Sequence, residues 1–267
     1  MPATALIRSS PLTRFALAPN PGPMSLNGTN SYVIAANGSG RVAVVDPGPL
    51  DEGHLALLAS AGVVELVLIT HRHPDHTEAS SRFAELTGAP VRAMDPAFCV
   101  GGDPLIDGEE LLAGGVDIRV VATPGHTSDS VCFHLPGDGP SGSVLTGDTI
   151  LGRGTTVLDF PDGTLGQYFS SLERLSELGP ATVLPGHGPV LSDLSSVVLT
   201  YRDHREERLE QIRAALAEVG ADAGVSTVAD LVYAEVPANV RGAAELSVAA
   251  QLHYLRTQDQ LRVQDQS

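Results

Sequence analysis

The chain has no tryptophan and no lysine, and only two cysteines in 267 residues. Each shortage removes a class of protein. Two thiols, Cys99 and Cys132, cannot build a disulfide framework, so both are expected to be reduced and buried. All sixteen basic residues are arginine, against 32 acidic ones, and the formal net charge is −16. So acidic a chain is a poor general binder of nucleic acid or of an anionic membrane. Only a local arginine cluster or a bound cation would attract phosphate. Aromatic residues make up 4% of the chain, so alanine and valine must fill much of the core. No apolar run approaches the ~18 residues of a membrane span. The first 23 residues have no continuous apolar stretch and are broken by Pro11, Pro19, Pro21 and Pro23, which argues against a secretory signal. A cytoplasmic protein without membrane contact is expected.

What is present suits a folded α/β protein. Hydrophobic residues make up 42% of the chain, enough for one sizeable core or a large domain plus a small one. Residues 31–36 and 41–45 are β-branched runs joined by NGSG, a hairpin pattern, and Asp46-Pro47-Gly48 ends the second. A helix is predicted over 53–60, a buried strand over 63–69, and a helix from Thr77 to Leu86 stopped by Gly88. Strands are predicted at 91–94, 105–107, 116–122, 130–135, 143–146 and 181–184, with a helix over 166–178. After Ser192 the character changes. Residues 194–219 predict a long charged helix with an apolar stripe at Leu209, Ile212, Leu216 and Val219, and two shorter helices follow near 226–234 and 243–256. A domain boundary is placed at 193.

Four segments share one grammar: an aliphatic strand, a sharp turn, then a side chain of metal-ligand type. They are VLIT-His71-Arg-His73-Pro-Asp75-His76, VVATPG-His126, VLTG-Asp148 and TVLPG-His187. In layered α/β folds the strand ends face one crevice, where ligands bind. Seven nitrogen and oxygen donors exceed the four of a tetrahedral ion and suit two ions sharing a carboxylate. His71 and His73, two apart in an extended segment, face the same side, and Pro74 favours that geometry. Asp75 and His76 follow the turn and can face a second ion.

The remaining histidines have ordinary places: His54 and His253 in helices, His134 in a strand, His204 on a solvated helix face. Arg202, Arg205 and Arg208 alternate with Glu206, Glu207 and Glu210, a pattern for ion pairs along one helix.

The motifs THRHPDH, TPGHT, TGD and PGHG resemble those of the metallo-β-lactamase superfamily. With NPGPMSLNGTNSYVI at 20–34, TGDTILGRGTTV at 146–157 and LPGHGP at 184–189, the likeness extends over nearly the whole chain to the β-lactamase-like protein 2 subfamily. The resemblance implies an αββα sandwich over 1–193, a small helical winged-helix-like domain over 194–267, and a dinuclear zinc site. Carried over, His71, His73 and His126 would hold one ion, Asp75, His76 and His187 the other, with Asp148 bridging. It also implies that some relatives are endoribonucleases on single-stranded RNA.

The expected function is dinuclear metal-dependent hydrolysis with a metal-bridging hydroxide, zinc being the expected ion and iron or manganese also suited to these donors. Asp75 and Asp148 are the expected catalytic carboxylates. Asn30, Arg153 and Thr155, on two loops flanking the cluster, are expected to meet substrate. Three substrate readings stay open: single-stranded RNA; a small thioester, ester or lactam; and, from another class, a nucleic-acid-binding regulator using the C-terminal helices. A homodimer is also compatible with that C-terminal segment.

Overall fold

The computed structural model describes residues 5–237 and 240–264. The first sheet has the order β1-β2-β3-β4-β5-β6 and comprises β1 (Ile7–Arg8), β2 (Thr13–Leu17), β3 (Asn30–Ile34), β4 (Arg41–Val45), β5 (Val63–Leu68) and β6 (Val91–Arg92). Its first four strands run antiparallel; β5 and β6 join in parallel. Parallel neighbours need a crossover, supplied here by α1 (Glu52–Ala59) and then by α2 (Pro74–Thr77) and α3 (Ser80–Thr87). The second sheet has the order β11-β10-β9-β8-β7. It comprises β7 (Glu110–Ala113), β8 (Val116–Ala122), β9 (Val131–Leu135), β10 (Ser143–Gly147) and β11 (Thr182–Pro185), and α4 (Leu165–Ser176) carries the crossover from β10 to β11.

The alternation of side chains along each strand builds the layers. Tyr32, Ile34, Ala43, Val45 and Leu68 of the first sheet meet Ile118, Val120, Phe133, Leu145 and Leu184 of the second in the central core. Their neighbours point the other way. Val33, Val42, Val44 and Val67 pack under Leu55, Leu58 and Phe83 of α1 and α3. Val121, Cys132, Val144 and Val183 pack under α4. The result is the expected αββα sandwich.

α5 (Leu194–Val219), α6 (Val225–Val232) and α7 (Arg241–Gln264) complete the chain. Asp193 caps α5 through the backbone N–H groups of Ser195 and Ser196. The apolar cluster under α4 continues across position 193 into Val198, Leu209, Ile212, Val228 and Leu252. The three helices expected here are present, but among the described residues of 194–264 no strand accompanies them, so the winged-helix-like expectation finds its helices without a wing. No helix among the described residues is long and apolar enough to cross a membrane.

Several local expectations are corrected. The strand expected at 105–107 is a loop, with Leu105 hydrogen-bonded to Ala93, and the strand begins at Glu110. The helix expected from Thr77 to Leu86 is two helices. The break falls where the Ala79 N–H leaves the helical ladder to donate to the Gly48 carbonyl, while the Thr77 hydroxyl donates back to Arg72 and His73. The stripe on α5 does not extend to Val219, which is 37% exposed. Arg205 belongs to the buried face of α5 instead of its charged one.

Candidate metal centre

The site is assembled at the ends of β5, β8, β10 and β11. Past Leu68 the chain is gripped by Asp46, at the end of the neighbouring β4. One Asp46 oxygen accepts the Thr70 backbone N–H at 2.8 Å and the other accepts the Thr70 hydroxyl at 2.7 Å. His71 follows, past the end of β5. His73 opens α2, its carbonyl accepting the N–H groups of His76 and Thr77, with Pro74 in the first turn, where no donor is needed. Asp75 and His76 therefore come from the first turn of a helix, and the histidines before it from a strand end. His126 lies in the turn after β8, Asp148 follows β10, and His187 follows β11.

All seven expected ligands converge. His73 Nδ1 lies 3.0 Å from His71 Nε2 and 3.0 Å from His126 Nε2. On the other side, His187 Nε2 lies 3.3 Å from His76 Nε2 and 3.2 Å from Asp75 Oδ2. Asp148 sits between: Oδ2 is 3.3 Å from His187 and 3.9 Å from His126, and Oδ1 is 3.6 Å from His76. Donors about 2.0–2.1 Å from a tetrahedral ion are about 3.3 Å apart, so both groups have the spacing of an ion's ligands.

The outward-facing imidazole nitrogens are held as well. His76 Nδ1 donates to Asp46 at 2.8 Å, His126 Nδ1 to the Val157 carbonyl at 2.6 Å, His187 Nδ1 to the Gly28 carbonyl at 3.1 Å and His71 Nδ1 to the Thr70 hydroxyl at 3.1 Å. Each bond fixes the tautomer that leaves an inward lone pair. His73 is turned over, with Nε2 3.5 Å from Asp159 and Nδ1 inward.

Converging lone pairs need a cation, and buried Asp148 Oδ1 has no hydrogen-bond donor. The residues present therefore fit metal ions. Electrostatics divides the two groups. Burial, reinforced by the neighbouring rings, pushes His71 well below the usual histidine range, and burial brings His126 to about 4, so both stay unprotonated. Burial opposes charge on His187 too, but Asp148 and Asp75 outweigh it and raise His187 to about 10, so a metal ion would take the place of a proton on Nε2. Imidazole and carboxylate donors suit zinc, iron and manganese alike.

Gly186 shows how closely the strand ends are packed. A Cβ there would lie 2.6 Å from Asp148 Oδ1 and 2.9 Å from His76 Cε1. Gly186→Ala is therefore expected to fold while binding metal at least about tenfold more weakly, since both contacts are to candidate ligands. Metal titration beside circular dichroism would check this.

The residues expected to meet substrate fare unevenly. Asn30 is corrected: it is buried, and its amide donates to the Pro185 and Gly188 carbonyls, both at 2.9 Å, bracing the loop that carries His187. On this loop the hydroxyl that touches a candidate ligand is that of Thr156, 3.0 Å from His126 Nδ1, whereas none of the described hydrogen bonds to the seven donors comes from Thr155. Arg153 is exposed on the same loop and has no ion pair among the described residues.

Two supports escaped the sequence reading. Asp46 has φ 52, a left-handed conformation rare outside glycine, and VVDPG looks like an ordinary strand end. Asp159 binds the Arg72 guanidinium beside its approach to His73, and Arg72 also pairs with Asp162. The spacer of the HxHxDH motif thus anchors the 159–162 loop.

The C-terminal layer reaches the site through α5. The Tyr201 hydroxyl accepts the Leu151 N–H at 2.8 Å and lies 3.0 Å from the Gly154 carbonyl. One turn on, buried Arg205 donates to the Thr156 carbonyl, its guanidinium 5.0 Å from the Tyr168 ring centroid. Tyr201→Phe is expected to cost about 1–3 kcal/mol, because it strands the Leu151 N–H. It should also speed hydrogen exchange in a peptide covering 150–157, and unchanged exchange there would remove the clamp.

An αββα body with histidine and aspartate donors at the ends of its sheets is a metallohydrolase architecture. Residues 24–187 match the family model described as the metallo-beta-lactamase superfamily, and the chain belongs to that superfamily. It is 31% identical over 284 residues to a beta-lactamase-like protein 2 homolog of Drosophila melanogaster, covering 98% of this chain and 93% of that one. It is 32% identical over 254 residues to an atrochrysone carboxyl ACP thioesterase of Aspergillus fumigatus, covering 86% and 76%. The crystal structure of a metallo-beta-lactamase family protein from Thermus thermophilus superposes with a TM-score of 0.76 at 26% identity, covering 93% of this chain and 94% of that one.

Proposed function

We propose that this protein is a dinuclear metal-dependent hydrolase of small acyl thioesters or esters. The observation that carries the reading is the division of seven donors into two groups with Asp148 between them. His71, His73 and His126 would hold one ion and Asp75, His76 and His187 the other, zinc being the first choice. When bound, such ions act as Lewis acids and lower the pKa of water from about 15.7 to about 7.

The chain's own residues do the rest. Asp148 presents a lone pair at Oδ1 to the space between the groups. The Asp75 side chain is 32% exposed and accepts from the Thr29 hydroxyl at 3.3 Å, so it can orient an incoming water. Buried Thr29 is in turn held by Asn20, whose Oδ1 accepts the Thr29 N–H at 2.9 Å.

The excess of sixteen negative charges favours a small substrate over a polyanion, and the similarity to a protein named as a thioesterase supports an acyl carbonyl. Single-stranded RNA is the second reading, favoured by exposed Arg153 beside the site. A panel of acyl-coenzyme A and acyl-glutathione thioesters, β-lactams and single-stranded RNA tests both. Thioester turnover at least about 100-fold above that of the Asp148→Asn variant is the expected result. RNA cleavage with no thioester turnover would replace the first reading by the second. Tight duplex DNA binding with no hydrolysis at all would favour the regulator.

A further inference from the structure

A cleft of about 390 Å³ lies between the loop after Asp159 and helices α6 and α7. Phe160, Val225, Ala249 and Leu252 make its apolar wall, and His253 and Arg256 stand at its edge. The Phe160 and His253 rings lie 5.2 Å apart, so the loop and α7 meet there. The cleft adjoins the metal centre through a single residue. The Asp159 N–H donates to the His126 carbonyl at 2.8 Å, its carboxylate lies 3.5 Å from His73, and Phe160 comes next in the chain. Consecutive Cα atoms are about 3.8 Å apart, so Phe160 and the apolar wall it begins stand one residue from the Asp159 contact on the outer edge of His73.

We propose that this cleft receives the thiol arm of the substrate, an arm with a long uncharged stretch that ends in a phosphate. The inference rests on the thioester reading. The apolar wall suits the methylene groups of that stretch. Arg256 is exposed on α7, and its Nη2 lies 3.4 Å from the Ala223 carbonyl, which steadies the guanidinium at the far edge. Guanidinium groups bind phosphate in forked pairs. One phosphate at the edge is compatible with an acidic chain in a way that a long polyanion is not. The cleft would make α6 and α7 part of substrate selection, without any contact with the reacting atoms.

The test uses the metal-loaded full chain and one acyl group on two thiols: coenzyme A, which carries phosphates, and N-acetylcysteamine, which carries none. Arg256→Gln is expected to raise KM for the coenzyme A thioester about tenfold, leave kcat within about twofold, and leave KM for the N-acetylcysteamine thioester unchanged. Ala249→Phe, which fills the cleft, should raise the coenzyme A KM by a similar factor. Wild-type KM values in both variants would overturn the cleft while leaving thioester hydrolysis standing. Calorimetry with free coenzyme A separates the opposite case. Binding that weakens in Arg256→Gln supports the cleft even if no thioester is turned over. A single-stranded RNA that displaces coenzyme A at lower concentration than coenzyme A's own Kd would assign the cleft to nucleic acid and overturn the proposal.

Discussion

Asp148→Ala is expected to abolish hydrolysis and to remove most of the bound metal. Its two oxygens lie within 3.9 Å of His76, His126 and His187, so it spans the two donor groups. Loss of an outer-shell partner usually costs about 10–100-fold in metal affinity, and loss of a shared inner ligand should exceed that range. The stabilisation that metal gives should shrink in parallel. An ion present at 100 times its Kd raises stability by about 2.7 kcal/mol, and the variant should lose most of that gain at the same metal concentration. Asp148→Asn keeps the volume and removes the charge, so it should bind less metal than wild type while folding as well. Metal content, kcat/KM and the thermal shift on adding metal would check the three expectations together.

The second large effect is expected at Asp46, which touches no substrate. Its carboxylate accepts from Thr70 twice and from His76 Nδ1, all with less than a tenth of the residue exposed. Asp46→Asn retains a residue that tolerates φ 52. If the amide oxygen keeps the Thr70 N–H, its nitrogen faces His76 Nδ1. That ring must then accept at Nδ1 and carry its proton on Nε2, the nitrogen aimed at the metal. Metal affinity should fall about 10–100-fold with little loss of folding. Asp46→Ala loses both Thr70 bonds and puts a Cβ-bearing residue without a local partner at positive φ. It should destabilise the chain by about 3–6 kcal/mol, from two charge-assisted hydrogen bonds plus backbone strain. Chemical denaturation and metal titration separate the two variants: Asn weakens metal first, Ala weakens folding first. Equal metal affinity in wild type and Asp46→Asn would show that the carboxylate does not set the His76 tautomer.

The four motifs were legible because their chemistry is local. Histidines two apart in an extended segment, followed by Pro74 and a helical turn, announce their directions in the sequence. The strand–turn–ligand pattern at His126, Asp148 and His187 also placed those residues at sheet ends, where they are found. The supports were not legible, because they depend on contacts across long stretches of chain. Asp46 meets His76 only because β4 and β5 are parallel neighbours. Asn30 stands next to a loop motif and looked available to substrate, but antiparallel pairing of Thr29 with His187 turns it into a brace. Arg205 sits among charged neighbours in RDHREER, and only the packing of α5 against α4 shows that it points inward. The edge strand β1 and its neighbour β2 were missed because β1 is only two residues long, and TRFAL interrupts its alternation with Arg14 and takes its place from β3.

The central claim, that this cluster of five histidines and two aspartates holds catalytic metal, meets its most direct test in a chelation and reconstitution experiment. The purified chain would be stripped of metal, assayed against a thioester it hydrolyses, and titrated with zinc, iron and manganese while bound metal is counted by elemental analysis. The expected result is activity lost with the metal and regained as the count rises to two ions per chain. Undiminished turnover by a chain that retains no metal would contradict it.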